Sequence, residues 1–302
     1  LAHAYEQLRA RGRTFGLNVR FDSADERLVI FGPSGAGKSV TIQAIAGLLR
    51  PQRGRIVLGD RVLFDAARGI DVPARERKVG YLFQDYALFP HLSVEHNVGY
   101  GLRRWPWPLT AHERDEVRAM LALFGLQGLA QSLPRDLSGG QRQRIMIAMA
   151  IANNPELLIA DEPTTALDVV VAAQILKLLK QIQKKHKMAI LLITHDLTIV
   201  KRVADRVAVI DAGQIVEQGR VLDVFTRPQQ PITKSLIDEI LPQELPASVL
   251  QHVHQLASQL RSLSPTVSRD CSRSDAWRRS AWRDSDSRTA AARAISACSW
   301  PI

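Results

Sequence analysis

Residues 32–39 read Gly32-Pro33-Ser34-Gly35-Ala36-Gly37-Lys38-Ser39 and satisfy the pattern G-x-x-x-x-G-K-[ST]. An apolar run at 28–31 precedes them, and a helical pattern at 40–49 follows. Glycines in such a turn let backbone N–H groups close around phosphate oxygens, and the helix N-terminus adds a favourable dipole. The alternative is a plain glycine-rich turn, which would explain neither the apolar run before the loop nor the helical pattern after it. We therefore predict a phosphate-binding loop between a strand and a helix. In this loop Lys38 reaches the β- and γ-phosphates, and Ser39 coordinates Mg²⁺.

A second pattern is an apolar strand that ends in two carboxylates. Residues 157–160 lead directly into Asp161 and Glu162. A central strand of this kind delivers Asp161 to the shell of a bound Mg²⁺ and places Glu162 to polarise an attacking water. The alternative is a buried strand that ends in a solvated acidic turn, and this pattern alone does not separate the two.

A second anion site is predicted in the middle of the chain. Leu137-Ser138-Gly139-Gly140-Gln141 opens a helical pattern that continues to residue 153. Small residues, N–H groups and a helix N-terminus are combined here as in the first loop. Two phosphate-type sites so far apart in one chain imply that each completes the pocket of a different nucleotide. The sequence therefore predicts a head-to-tail dimer.

Composition and charge limit the class of protein. The chain has 302 residues, and a hydrophobic content of 46% is ordinary for a globular protein. No apolar run approaches the roughly 20 residues that cross a bilayer, and we see no secretory signal. The two cysteines, Cys271 and Cys298, have neither metal-ligand nor redox spacing. We therefore expect a cytoplasmic protein, whereas the net charge of +10 decides no function by itself.

Strand and helix patterns alternate as far as residue 245, which indicates an α/β layout. The predicted strands are 16–21, 27–31, 79–83, 156–160 and 189–193, with hairpins at 55–62 and 206–218, and the predicted helices are 111–129, 141–153 and 170–184. Residues 246–302 are rich in Ser, Arg and Ala and lack apolar periodicity. We predict a disordered basic tail there, with out-of-frame translation or contact with anionic lipid or nucleic acid as alternatives.

Taken together, these motifs resemble the ATP-binding cassette (ABC) family, over about residues 15–240. The resemblance implies an α/β P-loop NTPase of ABC type: a RecA-like core, an antiparallel β subdomain and a helical signature subdomain at about 100–153, all within a nucleotide-binding domain at 1–245. It implies ATP and Mg²⁺ as cofactors. Each ATP is then held by Lys38 and Ser39 of one subunit and by Ser138 and Gly140 of the other.

The resemblance also assigns roles outside these motifs. Gln84 corresponds to the glutamine that senses Mg²⁺ and the permease, Asp168 to the D-loop, and His195 to the switch histidine that contacts the γ-phosphate. Taken singly, a surface glutamine, a helix-capping aspartate and a strand-end histidine are the alternatives. Adenine stacks on an aromatic residue ahead of the loop in this family, and Phe15 is favoured over Tyr5, with a core phenylalanine as the alternative.

The complete predicted site has three parts. The catalytic residues are Glu162, His195 and Gln84; the metal ligands are Ser39, Gln84 and Asp161; the nucleotide-binding residues are Gly32, Pro33, Ser34, Gly35, Ala36, Gly37, Lys38, Ser39, Val40, Ser138, Gly139, Gly140, Gln141, Asp168 and Phe15.

Importers are the part of the family that the chain resembles. Residues 79–94 are similar to molybdate importers and their sulfate and sugar relatives, whereas 145–150, 161–168 and 227–236 are similar to di- and oligopeptide importers. These similarities do not decide whether the transported solute is an oxyanion or a peptide. The expected partners are membrane permease subunits, a second cassette and, indirectly, a periplasmic or extracellular solute-binding protein. The expected location is the cytoplasmic face of the plasma membrane.

Non-transport ABC ATPases are the alternative function. A DNA-repair or chromosome-organising ATPase needs a long coiled coil or a zinc insertion, and residues 40–137 show neither pattern. An ATPase that acts on the ribosome normally carries two cassettes in one chain, whereas this sequence has one P-loop and one Leu137–Gln141 motif. A regulatory subunit without catalysis is disfavoured because every catalytic position is filled. We therefore expect no nucleic-acid partner.

Overall fold

A computed structural model of the chain describes residues 2–10, 13–23, 25–102, 108–165 and 167–240. The chain divides into two compact units, Leu1–Leu241 and Pro242–Ile302, and all of the described residues belong to the first. The predicted tail at 246–302 lies outside the described residues. Among the helices that are described, none is both long enough and apolar enough to span a bilayer.

One mixed sheet of eleven strands runs through the described part of the chain. The strands are β1 (Ala2–Ala10), β2 (Arg13–Phe21), β3 (Arg27–Phe31), β4 (Arg53–Leu58), β5 (Arg61–Asp65), β6 (Ile70–Asp71), β7 (Val79–Leu82), β8 (Leu157–Asp161), β9 (Ala189–Thr194), β10 (Arg206–Asp211) and β11 (Gln214–Arg220). Their order across the sheet is β6-β5-β4-β1-β2-β11-β10-β3-β9-β8-β7.

Helices connect and cover these strands. The α-helices of the described residues are α1 (Lys38–Ala46), α2 (Val94–Val98), α3 (Ala111–Leu123), α4 (Gly139–Ile151), α5 (Val169–His186), α6 (Leu197–Val203), α7 (Val221–Thr226) and α8 (Pro231–Ile240). The helices α2, α3 and α4 lie between β7 and β8, and α1, α5 and α6 each follow a strand of the parallel half of the sheet. This layout confirms the predicted α/β fold.

The parallel half of the sheet positions the site. β10, β3, β9, β8 and β7 pair in parallel in that order. All five residues of β8 are buried, as an uninterrupted apolar run predicts for a central parallel strand. The carboxyl ends of parallel strands meet at one edge, so the segments after β3, β8 and β9 lie there together.

The antiparallel half was only partly predicted. The hairpin of β4 and β5 turns at Gly59, whose φ is +55°, and this confirms the hairpin predicted at 55–62. β1 was not predicted, although it pairs with β2 along its full length. Its sequence AHAYEQLRA is rich in residues that favour helices, so cross-strand pairing overrides local propensity here.

The prediction of one helix at 111–129 is wrong. α3 begins with a capping box between Thr110 and Glu113 and ends at Leu123. Gly125 has a φ of +67°, and the N–H of Leu126 donates to the carbonyl of Leu121 at 2.8 Å. A glycine in the left-handed region ends a helix in this way, and a separate 3-10 turn, Gln127–Leu129, follows.

The sheet separates two apolar cores. On β3, Val29 and Phe31 pack into a core with the helices that follow β7, whereas Leu28 and Ile30 face the opposite core with α1 and the β4–β5 hairpin. Alternate side chains of a strand point to opposite faces, so one strand ties both cores together. The loop that leaves β3 is therefore anchored on both sides.

Candidate functional site

The loop at 32–39 is held in shape by its glycines. Gly35 and Gly37 have φ values of +79° and +101°, and Gly37 is the N-cap of α1. At Gly32 a Cβ atom would lie 2.1 Å from the carbonyl oxygen of Ile210, so only glycine fits. The N–H of Gly213 donates to the carbonyl of Ala36 at 3.0 Å. The loop is thereby braced against the β10–β11 turn.

Lys38 lies inside this loop. Its Nζ donates to the carbonyl oxygens of Gly32 at 2.9 Å and Pro33 at 2.8 Å, and its side chain is buried. Burial lowers the pKa of Lys38, and the negative charges of Glu162 and Asp161 oppose that shift. The ammonium group of Lys38 is therefore held by loop carbonyls, and a phosphate oxygen could take the place of these carbonyls.

The other residues of the loop complete this cradle. The N–H of Ala36 donates to the carbonyl of Pro33 at 3.3 Å, and Ser34 is exposed. Val40 is half-buried within α1. The predicted residues at 32–40 thus form one continuous structure at the N-terminus of α1, where the helix dipole favours an anion.

Two predicted metal ligands meet beside the loop. The Ser39 hydroxyl donates to Asp161 Oδ1 at 3.4 Å. Burial raises the pKa of the Asp161 carboxyl, the hydrogen bond from Ser39 opposes the shift, and the charge of Glu162 adds to it. Hydroxyl and carboxylate oxygens are ligands that Mg²⁺ prefers, and a cation here would relieve the buried charge. These residues fit the predicted metal.

Glu162 and His195 meet at the ends of β8 and β9. His195 Nδ1 lies 3.0 Å from Glu162 Oε1, and the Thr165 hydroxyl donates to Glu162 Oε2 at 3.0 Å. The Glu162 side chain is 15% exposed and that of His195 is 63% exposed. The carboxylate is therefore oriented by two partners at the mouth of the site, next to the Ser39–Asp161 pair.

Three further predicted residues lie outside this cluster. Gln84 is exposed and follows β7 by two residues, beside the end of β8. Asp168 is the N-cap of α5, and its side chain accepts from the N–H of Val171 at 2.8 Å. Phe15 lies in β2, and its backbone pairs with Leu8. The proposed roles of these three residues stay predictions.

Residues 138–141, which form the second predicted anion site, lie at the N-terminus of α4. The Ser138 side chain accepts from the N–H of Gln141 at 3.3 Å, and Gln141 Oε1 accepts from the N–H of Ser138 at 2.8 Å. This capping box satisfies two backbone donors, so the N–H groups of Gly139 and Gly140 are the ones available to a phosphate. Ser138 and Gln141 thus bond to each other and not to the loop at 32–39.

Reasoning from the sequence missed residues that support the site. Tyr81, on β7, hydrogen-bonds to Asp161 and to Gln43 of α1; burial and the charge of Asp161 raise its pKa above the usual value. The amide of Gln143 donates to the carbonyl of Pro163. In β7 the positions alternate between half-buried and buried, with Tyr81 half-buried, and no local sequence pattern marks either the Tyr81 or the Gln143 contact.

Known proteins share both the sequence and the structure of this region. Residues 17–165 match the family model described as ABC transporter. The chain is 42% identical over 235 residues to the methionine import ATP-binding protein MetN of Cupriavidus necator, covering 76% of this chain and 67% of that protein. It is 46% identical over 227 residues to the molybdenum import ATP-binding protein ModC of Mycobacterium tuberculosis, covering 74% and 62%.

A solved structure shows the same fold. The ATP-binding cassette MJ0796, a dimer in a post-hydrolysis state bound to ADP and Pi, matches with a TM-score of 0.61 and 26% identity. The match covers 72% of this chain and 97% of that one. Against MetN and ModC, the chain spans 67% and 62% of their length, so about a third of each has no counterpart in the match.

The phosphate loop and the paired carboxylates, at the carboxyl ends of the parallel strands, define a P-loop NTPase. With these relatives, the chain belongs to the ABC transporter family. It carries an ABC ATPase domain, and the cofactors of that domain are ATP and Mg²⁺. The predictions of the family, the enzyme class and the cofactors are therefore confirmed.

Proposed function

We propose that this chain hydrolyses ATP to drive the import of a small solute through a separate membrane permease. The observation that carries the proposal is the 3.0 Å contact of His195 Nδ1 with Glu162 Oε1, directly beside Asp161. Relatives that are named import ATP-binding proteins support the direction of transport.

Each residue of the cluster takes a distinct role in this proposal. Lys38 holds the β- and γ-phosphates, and Ser39 and Asp161 hold the metal. When bound there, Mg²⁺ would supply positive charge that offsets the negative charge of the phosphates. The Glu162 carboxylate orients the attacking water and accepts its proton, because His195 and Thr165 fix both of its oxygens.

A second cassette completes each site in this proposal. Ser138 and Gly140 of one subunit contact the nucleotide that Lys38 of the other subunit holds. The dimeric state of MJ0796 with ADP and Pi supports this arrangement. Asp168 then lies at the contact between subunits, Gln84 reports metal occupancy to the permease, and Phe15 stacks on adenine.

The transported solute follows from the permease, so the cassette gives only indirect support. ModC is named for molybdenum and MetN for methionine. An oxyanion is consistent with residues 79–94 and a peptide with 227–236, and methionine is chemically closer to the peptide. We infer an oxyanion or an amino-acid-like solute, delivered by a periplasmic or extracellular solute-binding protein.

The proposal also locates the chain and its parts. We infer a peripheral position on the cytoplasmic face of the membrane, with no nucleic-acid partner. Residues 1–245 would form the nucleotide-binding domain, with the helical subdomain at about 100–153. Residues 246–302 would form a solvated basic tail.

The test is to tag the chain in its native cell, extract the membranes gently and identify the integral membrane protein that co-purifies. The complex is then reconstituted in lipid vesicles that contain ATP, and uptake of labelled molybdate, methionine and a dipeptide is measured. ATP-dependent uptake of one solute, lost in the Glu162→Gln chain, is the expected result. A complex without any membrane partner, or ATPase activity stimulated by nucleic acid, would contradict the proposal.

A further inference from the structure

Gln143 connects two parts of the site through the protein interior. It lies on α4 and is 3% exposed. Its Nε2 donates to the carbonyl oxygen of Pro163 at 2.6 Å, and Pro163 is buried as well. The helix that carries Gln143, α4, is capped at its N-terminus by Ser138, whereas Pro163 directly follows Glu162. One buried hydrogen bond thus joins α4 to the segment that carries Glu162.

The backbone at Glu162 needs such support. Its φ is +46°, a left-handed conformation that costs a non-glycine residue about 1–2 kcal/mol. On one side, the N–H of Glu162 donates to the carbonyl of Ile193 at 3.1 Å. On the other side, Gln143 fixes the carbonyl of the next residue. The carbonyl of Glu162 itself accepts from the N–H of Thr165 at 3.1 Å. The strained conformation persists because the peptide groups before and after Glu162, and the next one along at Pro163, are all held in place.

The polar link from α4 to α5 is weaker than the bond of Gln143. Arg144 donates to Gln174 of α5 at 3.0 Å, but that bond is exposed to water. A hydrogen bond between exposed groups contributes little, whereas a buried carbonyl that loses its donor keeps the full cost of desolvation. The buried bond of Gln143 is therefore a rigid connection between α4 and the segment that carries Glu162.

We propose that Gln143 is a positioning residue that couples the two ATP sites of the dimer. Its helix faces the partner's nucleotide through Ser138 and Gly140, whereas Pro163 sets the position of Glu162 at the chain's own nucleotide. A shift of α4 when the partner's nucleotide binds is passed through Gln143 to Glu162. This inference rests on the proposed ATP-dependent dimer.

The test replaces the amide with a side chain of similar length that cannot donate. Gln143→Met removes the bond to Pro163, and Gln183→Met is the matched control. Gln183 is also buried, at 2% exposed, and it donates to Glu26 on another part of the domain. For the full chain, we would measure the ATP dependence of turnover, the affinity for a fluorescent ATP analogue and hydrogen exchange at 162–165.

The expected result is specific to Gln143→Met. Its kcat falls about tenfold, its Hill coefficient falls to 1, its affinity for the analogue stays within about twofold, and exchange at 162–165 accelerates. Gln183→Met changes none of these. A purely structural role would not separate kcat and the Hill coefficient from affinity. Should Gln143→Met not fold, Gln143→Asn, which keeps a polar group but falls short of Pro163, takes its place.

Two failures can be told apart. If Gln143→Met and Gln183→Met behave alike while the wild-type chain turns over cooperatively, the coupling role of Gln143 is wrong and the proposed ATPase dimer stands. If the wild-type chain hydrolyses no ATP, the proposed function fails. In that case, equal exchange at 162–165 in both variants would also remove the link between Gln143 and Glu162.

Discussion

The two phosphate-facing regions of this chain are built in different ways. At the loop after β3, Lys38 and Asp161 are only 7% and 6% exposed, so a basic and an acidic side chain are buried beside the loop. At the N-terminus of α4, residues 138–141 carry no charge, and Ser138 is exposed. A helix terminus attracts an anion by only about 0.3–1 kcal/mol. We therefore infer that the first region holds nucleotide by itself, whereas the second acts on a nucleotide that another subunit already holds.

The largest expected effect separates chemistry from binding in the first region. Glu162→Gln should lower turnover about a thousandfold, because the amide cannot accept a proton from water, and should leave ATP affinity nearly unchanged. Steady-state hydrolysis and nucleotide binding measure the two quantities. Glu156→Gln, just ahead of β8, is the control and should turn over normally. Wild-type hydrolysis by Glu162→Gln would exclude Glu162 as the group that activates water.

The next effect concerns the far end of the helix that carries the phosphate loop. Arg77 is 1% exposed and donates to the carbonyls of Ala44 and Ile45 at 2.8 and 2.9 Å. Arg77→Met removes the buried guanidinium that bonds these two carbonyls and pairs with Asp71, so the free energy of unfolding should fall by about 3 kcal/mol. Chemical denaturation measures this change. Arg75→Met, in an exposed ion pair, should change it by less than about 0.5 kcal/mol.

A smaller effect addresses the second region alone. A Cβ on residue 140 would lie 2.8 Å from Cγ1 of Val171, and a β-branched side chain cannot easily turn away. Gly140→Ala should therefore weaken ATP-dependent dimerisation about tenfold, and nucleotide binding by the single subunit should not change. Sedimentation with Mg-ATP measures this. The control is Gly128→Ala, since a Cβ there meets no atom within 4 Å. If Gly140→Ala weakened nucleotide binding by the single subunit as much as dimerisation, both regions would contact the nucleotide of the same chain.

The smallest effect is a change of stability with pH. Burial raises the pKa of Asp161, so its favourable contribution is fully present below the unfolded pKa of about 3.9 and is lost as pH rises through the folded pKa. Without nucleotide and with a chelator present, Asp161→Asn should be more stable than the wild type at neutral pH. That advantage should shrink as pH falls. A difference in stability that does not vary with pH would contradict this account.

The same contrast explains what the sequence could predict. The loop at 32–39 and the end of β8 were predictable because glycine spacing and an apolar run report local conformation directly. By contrast, the contact of Tyr81 with Asp161 and that of Gln143 with Pro163 join segments far apart in sequence. Only the pairing of β7 with β8 and the packing of α4 bring them together. Long-range contacts leave no local pattern.

Element boundaries show the same limit. The helical spacing of apolar residues continues on both sides of Gly125, so it predicted one helix at 111–129. The structure instead has α3 and a separate 3-10 turn after Gly125. In β1, local propensity favours a helix, and pairing with β2 and β4 overrides it. Tertiary contacts decided both cases.

The measurement that tests the central claim most directly is the sedimentation of the full Glu162→Gln chain with and without Mg-ATP, together with the number of ATP molecules bound per chain. We predict a monomer without nucleotide and a dimer that holds one ATP per chain with Mg-ATP, because each nucleotide needs α4 of the other subunit. A chain that binds Mg-ATP and remains monomeric would show that the two phosphate-facing regions do not complete each other's sites.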